Sequence, residues 1–217
     1  MVWIPTRQGA VLIFLLLVLL VFGAGSCLYS LLSPTNPHPD PSFLIIEGWL
    51  PDSAIEEIIT RRHPGQRIIT TGGPITFGNS LIEQNNYADL SVARLLVAGE
   101  RAENILSAPA PLAKVDRTYA SALAVRRVLE EQGLYGQACD LYSFGPHSRR
   151  SLYMYRKALG RKYPIGIVAL ESTEYDMRRW WANSHAFKTT LGEVLSLTHA
   201  YCAFWKYRGE CVELEVE

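Results

Sequence analysis

The chain begins with a long apolar run that carries no charged side chain. No Asp, Glu, Lys or Arg occurs between residues 8 and 39, and residues 10–32 are nearly all apolar. A helix of about 20 apolar residues crosses the roughly 30 Å of hydrocarbon in a bilayer. A helix in the core of a soluble domain would show a polar stripe instead. The run therefore predicts a transmembrane helix over residues 10–32, after a short flank at residues 1–9.

Two alternatives concern the processing of this apolar segment. Small residues at 23–26 follow the apolar run, as they do at a signal-peptide cleavage site, and Cys27 resembles the cysteine of a lipoprotein box. Ala24 stands three positions before Cys27, where that box prefers a larger aliphatic residue, and the apolar run continues beyond Cys27. These features favour an uncleaved anchor and leave cleavage or lipidation at Cys27 open.

The positive charges near the apolar segment predict its orientation. Arg7 and the N-terminus lie on one flank, and the next basic residue after the segment is Arg61. The positive-inside rule places the basic flank in the cytoplasm. We therefore expect a single-pass membrane protein whose globular domain lies on the extracytoplasmic side.

The rest of the chain predicts a Pro-rich spacer and one domain. Residues 33–41 contain four prolines and predict a stiff, extended spacer, and residues 42–217 form the domain. The 21 Lys and Arg of the chain balance its 21 Asp and Glu, which argues against a nucleic-acid partner. The cysteines show no metal-ligand spacing, so no metal site is predicted. An exported domain permits a disulfide between Cys202 and Cys211.

Short apolar strands alternate with helical segments along the domain. The predicted strands lie at residues 43–46, 67–71, 105–106, 139–142 and 166–170, and the clearest helices at 87–98, 117–131, 148–159 and 190–205. This alternation predicts an α/β fold, with a Rossmann-like, doubly wound and mostly parallel sheet buried on both faces. Ligands of such sheets bind beyond the carboxyl ends of the strands, so the loops after the strands are the candidate site.

The loop after the fourth predicted strand, SFGPHSRRS, is the sharpest candidate for an anion site. A turn at residues 145–146 leads to Ser148, a plausible helix N-cap, and His147, Arg149 and Arg150 surround it. Basic residues at a helix start oppose the helix dipole, so they suggest a facing anion or carboxylate. The alternative is the solvated basic face of a surface helix.

Other loops offer weaker candidates. Gly72 and Gly73 can bring backbone N–H groups close to an anion, or simply form a tight turn. Glu47, directly after a buried strand, is a candidate general acid or base, or a partner for an arginine. Asp116 is a candidate helix cap. Trp180, beside a second tryptophan, can stack on a sugar or base, cap the core or lie near the membrane.

These motifs together resemble a known bacterial family. EGW, TTGGP, DRTYASA, SFGPHSRRS and YDMRRWW follow one another over residues 42–205, as in the YdcF/SanA/ElyC-like family, a domain of unknown function. The resemblance implies a Rossmann-like domain, often behind a membrane helix, in the bacterial inner membrane and facing the periplasm. It also implies a link to envelope integrity and peptidoglycan precursors. Carried over by position, the family's polar pocket falls on five residues: Gly72, Gly73, Thr118, His147 and Arg150.

The combined features predict a membrane-anchored envelope protein that binds or processes an anionic, phosphorylated cell-envelope precursor. Arg149 and Arg150 would hold the anion, and His147 and Glu47 would be the catalytic residues, with His147 a general acid or base. One alternative is a nucleotide or S-adenosylmethionine binding module without turnover, as reported for a cytoplasmic member of the family. Another is a membrane-tethered interaction module that uses Trp180 and the final helix. Turnover, cofactor and oligomeric state stay open.

Overall fold

Five parallel strands form the central sheet. The computed structural model describes residues 6–76, 83–113 and 116–204, except for the side chains of residues 17–22, 24, 26 and 178. The strands are β1 (Phe43–Glu47), β2 (Arg67–Gly72), β3 (Ile105–Pro109), β4 (Cys139–Phe144) and β5 (Ile165–Leu170). Their order is β3-β2-β1-β4-β5, and every pair is parallel. The predicted α/β fold with a parallel sheet is confirmed.

The α-helices of the described residues alternate with these strands. They are α1 (Arg7–Leu32), α2 (Asp52–Arg61), α3 (Tyr87–Val97), α4 (Arg117–Glu131), α5 (Ser148–Leu159) and α6 (Ser184–Phe204). The predicted bounds of α4 and α5 agree with the structure at both ends. Helix α6 begins six residues before the predicted start, because the Asn183 side chain accepts hydrogen bonds from the backbone N–H groups of His185 and Ala186.

Helices bury the sheet on both faces, and successive residues of a strand point to opposite faces. Phe43 and Ile45 of β1 pack into a cluster with α4 and α5. Leu44 and Ile46 pack into a second cluster with α2 and α3. All four side chains are at most 2% exposed, and full burial of one such side chain stabilises the fold by about 1.5–3 kcal/mol.

The order of the strands reverses between β1 and β4. From β1 the chain adds β2 and β3 on one side, and then crosses to add β4 and β5 on the other. Beyond the carboxyl ends of β1 and β4 the connections diverge to opposite sides, which leaves a crevice there. This crevice positions the candidate site.

The Pro-rich spacer lies against the domain. Asn36 and Ile167 exchange backbone hydrogen bonds of 2.8 and 3.1 Å, so the spacer covers the outer edge of β5 as an antiparallel bridge. A side chain at Gly166 would overlap the backbone of His38. Part of the predicted spacer therefore pairs with the domain, because the edge of β5 provides hydrogen-bond partners for it.

The end of α1 packs on the domain as well. Tyr29 and Leu32 are buried. The predicted transmembrane segment, residues 10–32, includes side chains at 17–22, 24 and 26 that lie outside the described residues. Counting only the side chains that the structure describes, no helix is long and apolar enough to cross a membrane. Cys211, with which an exported domain would permit Cys202 to form a disulfide, also lies outside the described residues.

Candidate functional site

A cavity of about 1050 Å³ opens at the carboxyl ends of the strands. The loops after β1, β2, β3 and β4 line it, together with the first turn of α4 and one face of α6. It therefore occupies the crevice where the strand order reverses, as expected for a ligand site of a parallel sheet.

Glu47, the last residue of β1, is a buried carboxylate at the base of this cavity. Its side chain accepts a hydrogen bond of 2.5 Å from the Ser143 hydroxyl and one of 2.8 Å from the Ser151 hydroxyl. Ser143 belongs to β4 and Ser151 to α5, so the carboxylate joins β1 to its neighbours across the crevice. Two hydroxyl donors lower the cost of burying this charge.

His147 lies between two carboxylates. Its Nε2 is 3.6 Å from Glu47 Oε1, and its Nδ1 is 3.0 Å from Glu193 Oε1. The Trp49 ring packs edge-on against the imidazole, with 5.1 Å between centroids. Burial alone lowers the pKa of His147, but Glu47 and Glu193 outweigh burial and raise the pKa to about 9. His147 is therefore an imidazolium at neutral pH, which makes it a proton donor and not a base.

Arg150 binds Glu193 through both carboxylate oxygens. Its Nε lies 2.8 Å from Oε2 and its Nη2 3.2 Å from Oε1. Nη1 donates to the Thr118 hydroxyl at 3.1 Å and lies 3.8 Å from Asp116. Burial lowers the pKa of Arg150, and Glu193 outweighs this and raises it. Burial raises the pKa of Glu193, whereas hydrogen bonds from His147 and Arg150 lower it to about 2.

Two cations thus converge on one oxygen. Arg150 Nη2 and His147 Nδ1 are only 3.0 Å apart, yet both groups are protonated at neutral pH and neither can accept from the other. Both N–H groups therefore point to Glu193 Oε1. The cavity wall carries acidic and basic side chains together, with three acidic residues, two arginines and three histidines: Glu47, Asp116, Glu193, Arg117, Arg150, His147, His185 and His199. Any preference for an anion consequently depends on this convergence and not on a general positive field.

The glycines near the start of α3 differ in role, because Gly48 and Gly72 pack against α3 whereas Gly73 borders the cavity. A Cβ atom on Gly72 would lie 2.5 Å from the Cβ atom of Tyr87, and one on Gly48 would overlap the Tyr87 carbonyl oxygen. Both glycines therefore make room for the first turn of α3. The nearest atom to a Cβ on Gly73 is the Pro111 carbonyl oxygen at 3.9 Å, an ordinary van der Waals distance, so a side chain at Gly73 would meet no close contact at the cavity wall.

The two predicted helix caps have different outcomes. Asp116 Oδ1 accepts a hydrogen bond of 2.9 Å from Tyr119 N, so the predicted cap of α4 is confirmed. Ser148 was predicted to cap α5, but it is the first residue of the helix, and His147 precedes it in a helical conformation. This prediction is wrong, because the short 3₁₀ turn Gly145–His147 runs directly into α5.

Two predicted binding residues lie elsewhere. Arg149 Nε donates to the carbonyl of Leu31 at 2.7 Å, and Trp180 Nε1 donates to the carbonyl of Gly25 at 3.1 Å. Both side chains therefore hold α1, and neither lines the cavity. Successive residues of a helix point about 100° apart, so Arg149 and Arg150 face different surroundings. The cavity brings together the remaining predicted residues: Glu47, Gly72, Gly73, Thr118, His147 and Arg150.

Glu193 is the main residue that sequence reasoning missed. It lies in α6, far along the chain from the basic loop to which it binds. One signal was available, since no other acidic residue occurs between Asp176 and Glu210. A lone carboxylate in an almost uncharged helix requires a partner when the helix packs on a domain.

The fold and site together define an α/β protein with a parallel sheet and a partly buried His–Arg–Glu cluster at the reversal of strand order. No family model, no curated protein and no solved structure matches this chain. The resemblance to the YdcF/SanA/ElyC-like family therefore stays a prediction from motifs. Across the described residues, no group of three His, Cys, Asp or Glu side chains could hold a metal ion.

Proposed function

We propose that this protein is a membrane-anchored envelope protein that binds and processes an anionic, phosphorylated precursor in the cavity. The observation that carries the proposal is the convergence of His147 and Arg150 on one oxygen of Glu193, at 3.0 and 3.2 Å. A phosphate oxygen accepts the same charged donors as a carboxylate oxygen. Glu193 occupies the place that the ligand's oxygen takes, and its side chain withdraws when the ligand binds.

The protonated state of His147 defines its role in this proposal. An imidazolium held between Glu47 and the ligand donates a hydrogen bond to the anion. It can also deliver its proton to a leaving oxygen as a general acid. Glu47, fixed by Ser143 and Ser151, keeps the imidazolium charged and oriented.

The membrane anchor is part of the same proposal. Helix α1 extends over 26 residues, and its sequence has no charged residue after Arg7. The six described side chains at residues 11–16 are all apolar and are 41–65% exposed. Such a surface is stable in hydrocarbon and unfavourable in water. The resemblance of the motifs adds that the membrane is the bacterial inner membrane and that the domain lies on its periplasmic side.

Anion binding by the full-length protein in detergent micelles tests the function. We expect calorimetry to detect binding of inorganic pyrophosphate, and Arg150→Lys to weaken it about tenfold or more, because one charge-assisted hydrogen bond contributes about 1.5–3 kcal/mol. Glu193→Gln should tighten binding, since the amide competes less strongly for the two cations. Arg149→Lys is the matched control, because Arg149 contacts α1 and not the cavity. Equal binding in the Arg149 and Arg150 variants would refute the proposal.

The position and size of the cavity favour nucleotide or S-adenosylmethionine binding as a second candidate. A cavity of about 1050 Å³ at the reversal of strand order has room for a base and ribose beside a charged group. The same calorimeter distinguishes the two functions. Tighter binding of a nucleotide or S-adenosylmethionine than of pyrophosphate, without turnover, would favour the second.

A further inference from the structure

Exposed apolar side chains form a surface beside the end of α1. Trp181, Phe187 and Leu191 are 43%, 43% and 39% exposed, and Leu195 is 72% exposed. Phe187, Leu191 and Leu195 are spaced four residues apart, so they share one face of α6. We call these four residues the α6 apolar surface.

The outer face of α6 is almost free of charge. Between Lys188 and the end of α6 at Phe204, Glu193 is the one charged residue, and it points into the cavity. The exposed face of a helix in water normally carries charged and polar residues. Contiguous exposed apolar side chains instead mark a surface that meets a membrane or another protein.

The contact between Trp180 and α1 fixes the level of this surface relative to a bilayer. Gly25 is 18 residues beyond Arg7, which corresponds to about 27 Å along the helix at 1.5 Å per residue. The hydrocarbon of a bilayer is about 30 Å thick. When Arg7 lies at the cytoplasmic interface, Gly25 therefore lies close to the opposite interface. Because Trp180 donates to the Gly25 carbonyl, the domain reaches that level.

The α6 apolar surface continues from this contact point. The Phe187 ring stacks on Trp180 with 5.7 Å between centroids, and Trp181 contacts Trp180 edge-on at 6.0 Å. Tryptophan is enriched where hydrocarbon meets headgroups, because its ring is apolar and its N–H is polar. The exposed Lys188 can reach the headgroup phosphates while its stem stays in apolar surroundings.

We propose that the α6 apolar surface docks on the outer leaflet of the bilayer that α1 crosses. This inference rests on the membrane anchor of the proposed function. Leu195 belongs both to this surface and to the cavity wall. Docking would therefore open the cavity at the level of the headgroups, so that its anionic ligand is the phosphorylated headgroup of a lipid presented from the membrane.

Depth-dependent quenching in the full-length chain tests the docking. Cys27, Cys202 and Cys211 are replaced by Ser, and Leu191→Cys or Leu195→Cys then accepts a nitrobenzoxadiazole label. The protein is reconstituted into phosphatidylethanolamine–phosphatidylglycerol vesicles. We expect nitroxides on the lipid acyl chains to quench both labels several-fold more than a label at Val97→Cys. Val97 is the matched control because it is 90% exposed at the end of α3.

The outcomes separate this inference from the proposed function. If the chain leaves the vesicles in an alkaline carbonate wash, the anchor of the proposed function fails, and the docking fails with it. If the chain stays inserted but iodide in the water quenches the labels at 191 and 195 as strongly as the label at 97, the docking alone is wrong. If neither iodide nor the acyl-chain nitroxides quench the labels at 191 and 195 more than the label at 97, another part of the protein covers the surface, and the docking is again wrong.

Discussion

Arg150 and Glu193 form a two-pronged ion pair across the cavity, although 43 residues separate them in the chain. The pair joins α5, which follows β4, to α6, the last helix of the described residues. It also sets the charge states around it, because Glu193 balances both Arg150 and His147. The stability of the cavity wall and its chemistry therefore depend on the same contact.

Removing one member of this pair should destabilise the protein strongly. Arg150→Ala leaves the mostly buried Glu193 with less compensation, and we expect a loss of about 3–5 kcal/mol in the free energy of unfolding. Replacing both residues, as Arg150→Met with Glu193→Leu, should recover much of that loss. Urea unfolding of the full-length protein in micelles, followed by circular dichroism, measures both effects. A double variant as unstable as Arg150→Ala would contradict this explanation.

The charged cluster should also make stability depend on pH in a defined way. The pKa of His147 is raised from 6.5 to about 9, so its contribution is complete below about pH 6.5 and is lost as the pH rises through 9. The pKa of Glu193 is lowered from 4.5 to about 2, so its contribution is complete above about pH 4.5 and is lost as the pH falls toward 2. We therefore expect the melting temperature to be highest between pH 4.5 and 6.5.

His147→Gln isolates the alkaline part of this profile. The variant lacks the titrating imidazole, so its melting temperature should change less than that of the wild type between pH 6.5 and 9. Parallel curves for the two proteins over that interval would show that His147 does not control the alkaline loss.

The glycines next to Tyr87 should differ in their tolerance of alanine. Gly48→Ala places a methyl group against the rigid carbonyl of Tyr87, and we expect a loss of about 1–3 kcal/mol or more. Gly73→Ala should change stability much less, because its Cβ would make only an ordinary van der Waals contact, 3.9 Å from the Pro111 carbonyl oxygen. Thermal unfolding of the two variants makes the comparison. Equal losses would argue against close packing of α3 on the first loop.

Trp180 should control how tightly α1 is held. Trp180→Phe removes the hydrogen bond to the Gly25 carbonyl, which contributes about 1 kcal/mol. We expect faster amide hydrogen exchange in residues 25–32 of this variant, measured by mass spectrometry of the full-length protein. Trp181→Phe is the control, since among the residues that the structure describes the more exposed Trp181 makes no such bond to α1. If hydrogen exchange in residues 25–32 is the same in Trp180→Phe as in the wild type, the indole of Trp180 does not hold α1.

Much of the fold follows from local pattern. The five strands are short apolar runs with turn residues around them. Such runs are typical of a parallel sheet, whose strands are buried on both faces. The bounds of α4 and α5 follow from amphipathic spacing. The start of α6 does not follow from such spacing. The segment after the Asn183 cap has few charged residues, so it shows no clear amphipathic pattern.

The candidate site could be predicted only as a set of loops. Because parallel strands end at one edge, the loops that follow the strands are expected to meet there, and the loops after β1, β2, β3 and β4 all line the cavity. The separate positions of Arg149 and Arg150 depend on helix phase and on where α1 packs, and neither is visible in the basic dipeptide itself.

The sequence by itself determined the alternation of strands and helices, the edge of the sheet at which the polar loops gather and the apolar character of the first helix. These properties depend on residues close together in the chain. Only the tertiary structure decided that Glu193 lies opposite Arg150, that His147 is held charged between two carboxylates and that Trp180 binds α1. Each of these contacts joins distant segments, and a charge state depends on burial and on neighbours that no local pattern contains.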